Sequence, residues 1–133
     1  LARIYSDLYQ HTDTNFKIVH ALDGYDEVSL TGDTKIVGNQ INTVLTPEDF
    51  KAEKIKAEEI YGGETIPEAV KIFQKILNGQ GSKAQHQVVC ANAALAISTA
   101  KNCSISEGLA LAEESLKSGK ALEKLKTLQK LSA

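Results

Sequence analysis

The chain has 133 residues, 42% of them hydrophobic and 24% charged, which is ordinary for one globular domain with a sizeable core. Its 15 basic and 17 acidic residues nearly cancel to a net charge of −2, and no basic face stands out, which argues against nucleic-acid binding. No apolar run approaches the ~20 residues that span a bilayer, and no signal peptide is visible.

Residues 1–10 read as a helix, because Leu1, Ile4, Tyr5 and Leu8 form an apolar stripe. A helix that starts at Leu1 without a cap leads us to expect a piece of something longer. A polar connector follows, then residues 16–20 as a short buried strand. Residues 27–31, 34–37 and 40–45 read as further strands, with turns at Gly32 and Gly38. Ile36, Ile41 and Val44 are the expected inward residues, and Pro47 ends the β region. Residues 50–61 form a charged connector with a helical turn expected within 52–59.

The second half reads as helical. Thr65, Ile66, Pro67 and Glu68 have the form of a capping box, and so do Ser104, Ile105, Ser106 and Glu107. Ala69, Val70, Phe73, Ile76 and Leu77 make one wide apolar face that stops at Asn78 and Gly79. Ser82 opens the next helix, which is apolar almost all round over residues 88–97 and is therefore the expected buried centre. Asn92 lies inside it, and a buried amide needs partners; a hydrogen bond fixing a neighbouring loop is the simpler reading than ligand contact. Leu109, Ala112 and Leu116 line the following helix. Leu122, Leu125 and Leu128 are read as the core stripe of the last one, with a solvated lysine face outside. Cys90 and Cys103 lack a metal spacing and fit a reducing cytosol, so a cytoplasmic location is expected. His11, His20 and His86 show no zinc pattern.

One stretch carries chemistry. Between two β-rich runs, Asp23, Asp26 and Glu27 place three carboxylates within five residues. Loops at strand ends expose groups that the strands hold in place. Neighbouring carboxylates are hard oxygen ligands that suit Mg²⁺, which takes one or two of them with waters and substrate phosphates. A solvated acidic turn around Asp23 and Gly24 is the commoner object. Tyr25 reads as packing at the loop base and His20 as a neutral residue holding the loop by a hydrogen bond. Ser29 and Ser98 have no His and acid at informative positions for a nucleophilic triad. No catalytic proton donor or acceptor is assigned.

The run Val19, His20, Ala21, Leu22, Asp23, Gly24, Tyr25, Asp26, Glu27, then Ser29, Leu30, Thr31 and Gly32 resembles the VHG-x-DG-x-DE-x-S-x-TG signature of the anthranilate phosphoribosyltransferase family. The segment Leu45, Thr46, Pro47, Glu48, Asp49, Phe50 is similar to its LTPEDFG segment. Asn92, Ala93, Ala94 and Ser118, Gly119, Lys120, Ala121 resemble its last helices. Ala21 and Lys51 stand where the family usually has glycine. The resemblance implies an α/β fold: a small sheet from the first half covered by four C-terminal helices, part of the α/β domain of the transferase and nucleoside phosphorylase-like fold. It implies Mg²⁺ as cofactor, held by Asp26 and Glu27, with phosphoribosyl diphosphate and anthranilate as substrates of a full-length homodimer. The helical domain, the glycine-rich diphosphate loop and the arginine that meets the anthranilate carboxylate are not found in these 133 residues, so the chain alone is expected to be inactive. Substrate-contacting residues are left unassigned. The alternatives are a pyrimidine nucleoside phosphorylase-like enzyme, which lacks this acidic run, and a non-catalytic nucleic-acid-binding relative, which calls for a positive face.

Overall fold

Five antiparallel residue pairs on each side of one central strand organise the first half of the computed structural model, which describes residues 2–39 and 41–132. Helix α1 (Ala2–Tyr9) leads into β1 (Lys17–Ala21), β2 (Thr34–Gly38) and β3 (Ile41–Leu45). The sheet order is β1-β2-β3, with Val19 opposite Ile36 and Ile36 opposite Thr43. Among the described residues each of β1 and β3 is paired on one side only. Two 3₁₀ turns (Pro47–Phe50 and Ala57–Ile60) lead to four helices, α2 (Ile66–Leu77), α3 (Lys83–Lys101), α4 (Ile105–Lys117) and α5 (Lys120–Leu131). The expected α/β arrangement of a small sheet followed by four helices is therefore present. Leu1 of the expected first helix and Gln40 of the expected last strand lie outside the described residues.

Register explains one departure. Strand side chains alternate between faces, so Ile36, Thr43 and the neighbours Ile41 and Leu45 share the inner face. Val44, expected inward, therefore faces outward beside Lys35 and is 43% exposed. A second departure is larger. Residues 27–31 form no strand. Leu30 has φ 59, a left-handed conformation that ends an extended run. The main-chain groups of Val28 bond a side chain of α3 and not a neighbouring strand.

Helix α3 is the centre of the structure. One side packs Ala91 and Leu95 against Val28, Leu30, Ile36, Phe50 and Ala52. The other packs Cys90 and Ala94 against Ile76 of α2 and Leu109, Ala112 and Leu116 of α4. The close approach of α3 and α4 is made at Gly108, where a Cβ would lie 2.5 Å from the Ala94 carbonyl oxygen. Reciprocal caps set the helix starts. Ser104 N–H donates to Glu107 (2.9 Å) while Glu107 N–H donates to Ser104 Oγ (3.2 Å). The Thr65 with Glu68 and Ser82 with Gln85 pairs repeat the pattern, and each satisfies donors that the first helical turn leaves free.

Two apolar stripes are less covered than their spacing suggests. Val70 and Phe73 of α2 are 45% and 49% exposed, because α2 enters the core only through Ile72, Ile76 and Leu77 near its C-terminal end. Helix α5 rests on α4 and has no buried residue; Leu122 and Leu125 are partly covered and Leu128 is exposed.

Lys51 ends the first 3₁₀ turn at φ 56 and ψ 30, with its N–H bonded to the Glu48 carbonyl at 2.9 Å. A left-handed conformation costs a residue with a Cβ about 1–2 kcal/mol, and glycine gives back part of that through greater freedom when unfolded. Lys51→Gly is expected to stabilise the protein by about 0.5–1 kcal/mol. The check is the urea midpoint at constant m value; a midpoint at or below that of the parent contradicts it.

Candidate functional site

The acidic stretch lies on the connection between β1 and β2 and is closed at its base by main-chain bonds. Leu22 N–H donates to Asp33 O at 2.8 Å, Ala21 N–H to Tyr25 O at 3.0 Å, and Gly24 N–H to Ala21 O at 3.0 Å. Gly24 adopts φ 104 at the tip, which glycine tolerates and other residues do not. Ala21, by contrast, continues the strand with its methyl fully buried, so the residue that replaces the family glycine sits without backbone strain.

Beyond Tyr25 the chain divides into an outer pair and a buried anchor. Asp26 and Glu27 are exposed, whereas Val28, Ser29 and Leu30 are at most 1% exposed. Asn92 holds the anchor from α3. Its Oδ1 accepts from Val28 N–H at 2.9 Å, and its Nδ2 donates to Val28 O at 2.8 Å and to Val88 O within its own helix at 3.0 Å. The loop-fixing role expected of Asn92 is thus formed. Leu30 O accepts from Ile55 N–H at 3.0 Å, tying the far side of the anchor to the segment between the 3₁₀ turns.

The three carboxylates have different surroundings. Asp23 turns back onto the loop and accepts from the hydroxyls of Thr31 and Ser29, which lie 2.8 Å from each other. It is a structural brace, the role of an acid in a turn. Asp26 and Glu27 make no side-chain hydrogen bond or ion pair among the described residues. Two adjacent, uncommitted carboxylates at the outer end of a rigid segment match what Mg²⁺ asks of a protein, namely one or two anionic oxygens with the remaining positions left to water and phosphate. Among the described residues no group of three or more His, Cys, Asp and Glu side chains is placed to hold a metal.

Other candidates separate from the loop. His20 is exposed and makes no side-chain hydrogen bond among the described residues, so Asn92 does the holding expected of it. The Tyr25 ring is 39% exposed, more open than a packing residue at a loop base. Ser98 is buried and donates to Leu95 O at 2.9 Å inside α3. Residue types alone did not reveal the Asp23, Ser29 and Thr31 brace; its signal was a run of hydroxyls at positions two apart after the acids.

None of the three main cavities is lined by Asp26 or Glu27. The largest, about 860 Å³, lies between the C-terminal ends of α2 and α4 and includes His86 and Cys90. His86 Nε2 is buried there without a partner among the described residues, and burial pushes the Cys90 thiol above its usual range. A second cavity, about 690 Å³, runs beside β1 and α3. Lys17 lines it and donates to Thr99 Oγ1 at 3.1 Å, and burial lowers its ammonium below the usual lysine range.

The model of the glycosyl transferase family, a/b domain, matches residues 1–122. The anthranilate phosphoribosyltransferase of Flavobacterium johnsoniae is 54% identical over 132 residues, which is 99% of this chain and 40% of the relative. The crystal structure of anthranilate phosphoribosyltransferase from Thermus thermophilus superposes with a TM-score of 0.75 at 29% identity, covering 85% of this chain and 34% of that one. The anthranilate phosphoribosyltransferase from Saccharomyces cerevisiae in complex with PRPP and Mg gives a TM-score of 0.73 at 25% identity, covering 84% of this chain and 32% of that one. The chain therefore spans about two fifths of the length of the curated relatives it matches.

Proposed function

The chain belongs to the glycosyl transferase family as its a/b domain, and from that footing we propose that it carries the Mg²⁺-holding acidic loop of an anthranilate phosphoribosyltransferase. The observation behind this reading is the contrast within the loop: Asp23 is committed to Thr31 and Ser29, whereas Asp26 and Glu27 stand free beside a buried anchor. The Saccharomyces cerevisiae enzyme in complex with PRPP and Mg supports the choice of ligands.

In this reading Asp26 and Glu27 act as anionic ligands, directly or through retained waters, and exchange no proton. When bound, Mg²⁺ would stabilise the negative charge that gathers on the diphosphate as its bond to ribose C1 breaks. The anchor of Val28 to α3 keeps the acid pair in a fixed place relative to the helical half. An aromatic amine held in reach of C1 attacks as the diphosphate leaves, so orientation replaces a strong base. In this reading the rest of the site is supplied by the part of the relatives' length that this chain does not span. The reducing cytosol suits the two free thiols, Cys90 and Cys103. No single helix among the described residues is long and apolar enough to cross a membrane.

The test is Asp26→Asn and Glu27→Gln in a protein of the relatives' full length that carries these residues, with loss of anthranilate fluorescence as the readout. Each variant is expected to lose at least about tenfold in turnover at limiting Mg²⁺, with partial recovery as Mg²⁺ is raised. Wild-type rates for both at limiting Mg²⁺ overturn the metal assignment.

A further inference from the structure

We propose that Asn92 is a positioning residue for the acid pair, acting through the main chain of Val28; the inference rests on the metal reading above. The segment that carries Asp26 and Glu27 has no strand or helix to fix it. It is held on one side by Tyr25, whose carbonyl accepts from Ala21 N–H at 3.0 Å, and on the other by Val28, next to Glu27, which is fully buried. A buried N–H and C=O need partners. Both are met by one carboxamide, the acceptor at 2.9 Å and the donor at 2.8 Å. An amide with one donor edge and one acceptor edge is the side chain that can take the place of a β-strand neighbour in this way. A third bond, from Nδ2 to Val88 O at 3.0 Å, ties the amide to its own helix. The carboxamide therefore cannot turn without breaking all three.

The consequence is directional. One residue, 64 positions from Val28, fixes the Glu27 side of the pair. Asp23 braces the stretch that follows Val28, through Ser29 and Thr31, and bonds none of residues 25–28 among the described residues. Loss of the Asn92 bonds leaves Val28 buried and unpaired or drives the segment outward. Either outcome spreads the two carboxylates over many positions, and a cation that needs both at once binds less tightly.

The test uses Mn²⁺ as a paramagnetic probe in place of Mg²⁺, titrated together with phosphoribosyl diphosphate into a protein of the relatives' full length that carries these residues, while backbone amide signals are followed by NMR. In the wild type, broadening is expected to centre on residues 25–28, and Asp26→Asn with Glu27→Gln should abolish it. Asn92→Leu keeps the side chain's bulk and removes all three bonds. It is expected to need about tenfold more Mn²⁺ for the same broadening, the lower end of what partners that orient metal ligands contribute. The comparison is made at a temperature where circular dichroism shows each protein folded. Asn92→Asp keeps the acceptor for Val28 N–H and loses the donor; it covers the case in which the leucine variant does not fold. Its added charge attracts the cation, so weaker binding there is the more telling result. Equal Mn²⁺ affinity in a folded variant and the wild type makes Asn92 purely structural and overturns the proposal. Absence of broadening at the acid pair in the wild type itself fails the metal reading instead, which is a different result.

Discussion

Gly108→Val is expected to destabilise the protein by at least about 3 kcal/mol, at the upper end of what overpacking costs. Gly108 lies in the first turn of α4, and a Cβ built there would be 2.5 Å from the Ala94 carbonyl oxygen and 3.3 Å from the Ala94 Cα. Both atoms belong to the backbone in the middle of α3, so no side chain can swing aside. The helices must separate, and separation loosens Cys90 and Ala94 from Leu109 and Ala112. Against this, replacing glycine inside a helix recovers only about 0.5–1 kcal/mol of intrinsic preference. The clash therefore decides the sign even for Gly108→Ala. Urea denaturation of both variants at constant m value measures the effect. A Gly108→Ala protein more stable than the parent would mean that helix preference wins and that the contact is not as close as described.

The second large effect concerns Leu30. Its side chain is 1% exposed at the centre of the cluster between sheet and α3, yet its backbone has φ 59. Packing and backbone preference oppose each other there. Leu30→Ala is expected to cost about 2–5 kcal/mol through the lost contacts and the cavity. Leu30→Gly removes one more carbon, worth about 0.8 kcal/mol, but relieves a left-handed conformation worth about 1–2 kcal/mol. The glycine variant should thus be no less stable than the alanine variant. At Leu95, buried within α3, glycine should be worse than alanine by about 1 kcal/mol. Thermal or urea unfolding of the four variants gives the comparison. The same alanine-to-glycine penalty at both positions would refute the argument.

The helical half was legible because its signals are local. A cap at Thr65 or Ser104 involves residues three apart, and the apolar density of α3 marks it as central without reference to other elements. The sheet half was less so. Residues 27–31 look extended by composition, but what they bond to is Asn92, 64 positions away, and no local pattern reports such a partner. The outward face of Val44 follows from its register with Lys35, which depends on where the β2 to β3 turn falls. Val70, Phe73 and Leu128 show a different limit. An apolar stripe states that a face prefers cover; how much of it is covered depends on which elements pack against it. The acid pair was visible as a motif, and the structure adds that, among the described residues, the third acid is occupied and these two are not.

The sheet described here has a ribbon margin on either flank, at β1 and at β3, that bonds no further strand among the described residues. A sheet of this kind can widen by accretion, since a newcomer laid along a margin forms fresh rungs and breaks none. The acidic loop is fastened from the opposite quarter, by an amide that rises out of the covering helix. Widening the sheet at its margins therefore leaves the amide's grip on the loop intact.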